Sequence, residues 1–233
     1  MASKVKGVFF DLFGTLVYGT FEAFDALTKE VEIRYDVENF WEAFRKEMGE
    51  FYSKGIMGAE FQRLHDAYGG IIGRALAKCS RKIGSGEARS LVEFFFSKVA
   101  ETPPRPEAVE VLTKLRERGF IVGVISNVDT KTLYKELKGA NLLNLLDVVV
   151  SSEEVGAYKP SPLPFREALN RAKITADQAI YIGDRARDIL GAKGVGMTAV
   201  LIGEEANKET TSVPDYVVKT LKEAYELVIN VLS

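Results

Sequence analysis

Along the first few residues, and again from about residue 105 to the end, short apolar runs are followed by amphipathic stretches. That rhythm belongs to βαβ units in a parallel sheet, whose buried strands read as continuous apolar runs and whose crossover helices carry one apolar stripe. Strands are expected over residues 5–10, 120–125, 148–150, 179–182, 199–202 and 216–218. A helix is expected over 130–138, between the second and third. Before the second strand, a helix over 107–118 would place Ala108, Val109, Val111, Leu112 and Leu115 largely on one side. Gly119 then supplies a C-terminal stop before the run FIVGVI.

From about residue 20 to 98 the pattern changes to long aromatic-rich helical stretches, broken at Gly55, Gly58, Gly69 with Gly70, and the Gly84-Ser85-Gly86 segment. This predicts a helical insert. Gly19 and Thr20 on one side, and Pro103, Pro104 and Pro106 on the other, supply the stiff, non-helical connections of a hinge. The expected architecture is α/β: a Rossmann-like, doubly wound parallel sheet built from residues 1–17 and 101–233, with an all-helical domain inserted over 18–100.

Composition narrows the partners. With 31 Lys and Arg against 33 Asp and Glu, the net charge of −2 gives no field that would draw the whole molecule to nucleic acid or anionic lipid. No apolar stretch approaches the roughly 18 residues of a membrane span. A small-molecule substrate is expected, with no nucleic-acid or membrane partner and a monomeric or homodimeric state. Cys79 is the only cysteine, which excludes an intrachain disulfide and a multi-cysteine zinc site and suits the reducing cytoplasm. The start of the chain, MASKVKGVFF, runs straight into an apolar strand pattern, so no secretory leader is expected.

Four segments carry polar groups at or just beyond the C-terminal ends of expected strands, the edge at which open α/β sheets bind ligands. They are FFDLFGTL with Asp11, Gly14 and Thr15; GVISN with Ser126 and Asn127; GAYKPSPLPF with Lys159; and YIGDRARD with Asp184 and Asp188. Taken singly, each residue also fits an ordinary role: a turn or helix-capping aspartate, a loop serine or asparagine, a solvated lysine. Together they fit one chemistry. A carboxylate at a strand end, here Asp11, can displace a leaving group in line and divide a hard hydrolysis into two easier steps. A phosphoryl group moving toward Asp11 needs its charge neutralised, which a divalent cation and donors from Lys159, Ser126, Asn127 and Thr15 would do together.

These segments, in this order, resemble the four motifs of the haloacid dehalogenase superfamily, and the helical insert sits where that family's type-1 cap belongs. The resemblance spans almost the whole chain. It implies a hydrolase with Asp11 as nucleophile and a Mg²⁺ ion held by Asp11, the backbone carbonyl of Phe13 and Asp184. Asp188 would be a further ligand or the partner of Lys159. Phe13 and Gly14 would line the substrate site.

The chain also departs from the family pattern. Most phosphatases of the superfamily carry a second aspartate two residues after the nucleophile, to protonate the leaving oxygen; here that position is Phe13. An aromatic there is common in the metal-independent 2-haloacid dehalogenases, whose halide leaves without a proton. The segment WEAFRKEMGEFY resembles the dehalogenase stretch that carries a halide-receiving arginine, which would make Arg45 that residue. The fourth motif points the other way. Dehalogenases have a Ser-Ser-Asn type segment where this chain has Gly183, Asp184 and Arg185, and a tyrosine where it has Phe165. A surplus carboxylate beside Asp11 would repel an anionic substrate unless a cation neutralised it. The preferred expectation is a Mg²⁺-dependent phosphatase of a small phosphorylated metabolite. A haloacid dehalogenase, a phosphonate-cleaving enzyme and a catalytically weak binding protein remain alternatives.

In the insert, Phe21, Phe24, Phe40, Trp41, Phe44, Phe51 and Tyr52 are expected to serve cap-core packing, with a hydrophobic substrate lid or a dimer surface as the alternative. His65, the only histidine, has no second histidine with which to hold a metal.

Overall fold

The computed structural model describes residues 5–55, 61–203 and 213–232 of the chain; Gly58, one of the expected helix breaks, lies outside them. Two compact units are present, Met1–Gly19 with Pro103–Ser233, and Thr20–Thr102.

The first unit is an α/β fold around a six-stranded sheet: β1 (Gly7–Phe10), β2 (Ile121–Ser126), β3 (Val148–Ser151), β4 (Ala179–Gly183), β5 (Thr198–Ile202) and β6 (Tyr216–Val218). The strand order is β3-β2-β1-β4-β5-β6, and every adjacent pair is parallel. Burial explains the apolar runs: β1 and β4 are wholly buried, as strands covered by helices on both faces must be. On one side of the sheet Phe9, Ile125, Val150 and Tyr181 pack with Phe165, Ala168, Ile189 and Ala192. Helices carry the crossovers among β1 to β5, including Ala108–Glu117 into β2 and Thr130–Gly139 between β2 and β3. The order reverses on either side of β1, which opens a crevice at the C-terminal ends of β1, β2 and β4, and the first two continue into Asp11 and Asn127 there.

The second unit is helical, with Phe21–Tyr35, Phe40–Glu50, Leu64–Lys78 and Ser85–Val99 as its long helices. Its interior is an aromatic cluster: Phe24 meets Trp41, Phe44 and Phe95 at ring-centroid distances of 5.9, 5.8 and 4.8 Å, and Tyr68 stacks on Phe95 at 5.1 Å. His65 stacks on Phe96, so it belongs to this packing. Two of the expected packing aromatics are exposed, Phe21 at the start of the first helix (70%) and Trp41 (38%), although Trp41 still meets Phe24. Among the described residues no helix is long and apolar enough to cross a membrane.

Candidate active site

Asp11 leaves β1 with its N–H still donating to the Ile182 carbonyl of β4 (2.9 Å), so the ladder extends one residue past the strand and fixes where the carboxylate emerges. The chain then folds tightly onto one acceptor: the Leu12 carbonyl receives the N–H groups of Thr15, Leu16 and Val17 (3.3, 2.9 and 3.0 Å). Buried Leu12, Leu16 and Val17 anchor this loop from below. Arg105 Nη2 braces it from the side by donating to the Gly14 carbonyl (2.8 Å). Gly14 has φ +85°, and a Cβ there would lie 2.3 Å from Asp184 Oδ2. Only glycine lets the two segments approach so closely.

Lys159 is the centre of the arrangement. Its side chain is fully buried, and Nζ lies 2.8 Å from Asp11 Oδ1, 2.7 Å from Asp188 Oδ1, 2.9 Å from the Ile125 carbonyl and 2.7 Å from Tyr181 Oη. Asn127 positions its backbone: Oδ1 accepts from Lys159 N–H (2.7 Å) and Nδ2 donates to Lys159 O (3.1 Å). The Asn127 amide therefore faces the Lys159 backbone, whereas its residue type alone suggested a donor for substrate. Asp188, at the start of the helix Ala186–Val195, has both oxygens engaged, Oδ1 by Lys159 and Oδ2 by Arg185 N–H (3.1 Å).

Asp184 is different. Its Oδ1 is buried with no hydrogen-bond partner among the described residues, and Oδ2 has only Arg185 Nε at 3.1 Å, from a side chain that is 60% exposed. Burial, with Asp11 and Asp188 adding to it, pushes the Asp184 carboxyl up to about 7. Burial likewise raises Asp11 above the usual carboxylate range, against the pull of Lys159 and with a further push from Asp188. Lys159 is shared by Asp11 and Asp188, which leaves Asp184 beside an exposed arginine only.

Ser126 and Thr15 are both buried here, Ser126 closing β2 and Thr15 with its Oγ1 unpartnered among the described residues. Phe13 and Gly14 are partly exposed. Arg45 belongs to the second unit, exposed on the helix Phe40–Glu50. Tyr181 was not legible as a site residue, because a tyrosine inside AIYIG reads as core; Arg105, among prolines, reads as linker.

Comparison with known sequences decides the family: a profile of the haloacid dehalogenase-like hydrolases matches residues 5–196. The chain belongs to that family. This haloacid dehalogenase-like hydrolase is 31% identical over 180 residues to a glyceraldehyde 3-phosphate phosphatase of Methanopyrus kandleri, covering 72% of its own length and 77% of the relative. It is also 26% identical over 226 residues to (S)-2-haloacid dehalogenase 4A of Burkholderia cepacia, covering 95% and 91%. Its fold matches the L-2-haloacid dehalogenase of Xanthobacter autotrophicus with a TM-score of 0.78 at 19% identity, over 97% of this chain and 99% of that one.

Relatives of both chemistries leave the cofactor to the site itself. One oxygen from each of Asp11, Asp184 and Asp188 lies within 4.8 Å of the others. An orphaned buried Asp184 oxygen, raised carboxyl groups and an all-oxygen donor set are what a hard divalent cation would satisfy. The residues of this hydrolase therefore fit such an ion.

Proposed function

We propose that the protein is a Mg²⁺-dependent phosphatase acting on a small phosphorylated metabolite through an aspartyl-phosphate intermediate. The observation that carries this reading is Asp184: a buried carboxylate, surplus to what Lys159 pairs, aimed into the crevice beside Asp11. A haloacid is itself an anion, and an ionised Asp184, with only the exposed Arg185 beside it, would work against its binding.

Asp11 would attack phosphorus in line, forming the Asp11 O–P bond as the P–O bond to the leaving group breaks; water would then hydrolyse the acyl phosphate and return the carboxylate. Lys159, held against Asp11, neutralises charge on the attacking carboxylate and the transferring group. The Thr15 hydroxyl and the Ser126 side chain are the remaining candidate donors for phosphoryl oxygens. Asp11, Asp184 and the Phe13 carbonyl would hold the Mg²⁺, with Asp188 held chiefly by Lys159. When bound, that ion offsets the carboxylate charge and that of the phosphoryl oxygens. Residues 18–100 would act as a cap that sets substrate size and limits the access of bulk water during the first step. The lone Cys79 fits a reducing compartment, and the enzyme is taken to work in the cytoplasm.

Phe13 favours a second reading, since a halide needs no acid; Arg45 would then receive it. One paired assay separates the two. Phosphate release from p-nitrophenyl phosphate that requires Mg²⁺ supports the phosphatase. Chloride release from L-2-chloropropionate without metal, with no phosphate released from any ester, would overturn it.

A further inference from the structure

We propose that Tyr181 is a positioning residue for the reaction: its hydroxyl takes the Ile125 carbonyl off Lys159, so that the lysine keeps a donor for the substrate. This rests on Asp11 and Lys159 acting as described above.

Lys159 has more acceptors around Nζ than protons to give them. An ammonium has three N–H donors and no lone pair, yet Lys159 Nζ has four acceptors within 2.9 Å: Asp11 Oδ1, Asp188 Oδ1, the Ile125 carbonyl and Tyr181 Oη. All four cannot be served by three protons. Tyr181 resolves the shortage, because its hydroxyl accepts as well as donates and lies 3.1 Å from the same Ile125 carbonyl. With the Tyr181 proton on Ile125 O, Lys159 gives one N–H each to Asp11, Asp188 and Tyr181, and every buried group has a partner. The alternative acceptor for that proton, Asp188 Oδ1, is farther at 3.3 Å.

Of the three groups then served by Lys159, the two carboxylates bind an ammonium strongly and the neutral phenol oxygen weakly. Tyr181 is thus the acceptor that an incoming phosphoryl oxygen displaces, and its own bond to Ile125 O is unaffected. Without the hydroxyl, Ile125 O is buried with no other donor in this set and claims a lysine N–H permanently. The tyrosine is built for a fixed position: it is fully buried on β4, with Phe165 edge-on at a centroid distance of 5.0 Å and 72°.

The test compares Tyr181→Phe and Leu115→Ala with the parent, using p-nitrophenyl phosphate with Mg²⁺, and melting temperature alongside. Tyr181→Phe keeps the ring and removes the hydroxyl; kcat should fall by about tenfold or more, with KM changed less than about twofold and a stable fold. Orthovanadate, which mimics the transferring group, should inhibit that variant more weakly than the parent. Leu115→Ala opens the core at the N-terminal end of β2, away from Lys159 and Tyr181, so it should lower the melting temperature and leave kcat near the parent value. Unchanged kcat in Tyr181→Phe would overturn the inference, as would a loss of kcat in both variants that simply follows their stability. A parent that releases no phosphate would instead sink the phosphatase reading, and the same comparison would be read on chloride release, which uses the same Asp11 and Lys159; a parent inert on both overturns both.

Discussion

The place where a Cβ would sit on Gly14 lies 2.3 Å from Asp184 Oδ2, so the loop that follows β1 and the carboxylate that follows β4 touch across the head of the sheet. This contact joins the loop of the proposed nucleophile to the proposed metal ligand. It also explains why the loop is fastened so heavily, to Leu12 O from within and by Arg105 from outside.

Gly14→Ala should therefore be costly in two ways. The residue has φ +85°, a conformation that costs a side chain on the order of 1 to 3 kcal/mol. The new methyl must also push Asp184 aside. Activity is expected to drop about a hundredfold with a clear rise in the Mg²⁺ concentration needed for half-maximal rate. Normal Mg²⁺ dependence in a folded variant would show that Asp184 is not a ligand.

Metal affinity should depend on pH in a definite direction. Asp184, pushed up to about 7, holds a proton in the metal-free fold that an unfolded chain has already released. Its raised value means that stability falls as pH climbs from the ordinary carboxylate range through about 7, unless a cation replaces the proton. The rise in melting temperature on adding Mg²⁺ should accordingly be larger at pH 8 than at pH 6. In Asp184→Asn this pH dependence should vanish, along with most of the Mg²⁺ response. A shift of equal size at both pH values would argue against the assignment.

Glu136 offers a separate stability handle. It lies buried on the helix Thr130–Gly139, with Oε1 unpartnered among the described residues, and burial pushes its carboxyl up to about 7 despite Lys135. Stability from this group is complete at low pH and is lost as pH rises through about 7. Glu136→Gln should be near neutral at pH 4.5 and stabilising at pH 8, by on the order of 2 kcal/mol. Denaturant melts at the two pH values measure it directly; a variant no more stable at pH 8 would show that the carboxylate finds water or a partner.

The fold was legible because it rests on burial: six apolar runs, each at its predicted place, became the six strands, and the order of the four motif segments put their polar residues at one edge. What pattern could not supply was contact. Asn127 has the residue type of a substrate donor and turns out to hold the Lys159 backbone. Phe165 stood out as a tyrosine missing from a helix, while the hydroxyl that reaches Lys159 comes from Tyr181 on β4, against the Phe165 ring. The apolar run AIYIG says that Tyr181 is buried; which neighbour its hydroxyl meets depends on three strands and a loop brought together only in the fold.

Phe13 tests how far the chemistry is limited by what the loop lacks. An alkyl phosphate leaves as a poor alkoxide, and a positioned acid at this site is worth roughly 10² to 10⁴ in rate. The parent should favour p-nitrophenyl phosphate and acetyl phosphate over sugar phosphates, because their leaving groups need no proton. Phe13 is partly exposed, so an aspartate there keeps access to water and its exchange disturbs little of the core. Phe13→Asp should raise kcat/KM for an alkyl phosphate by about tenfold or more and change p-nitrophenyl phosphate hydrolysis much less. Steady-state rates on the two substrates, in parent and variant, decide it. No gain on the alkyl ester would mean that another group already delivers the proton, and the search would move to the residues that face Asp11 when substrate is bound.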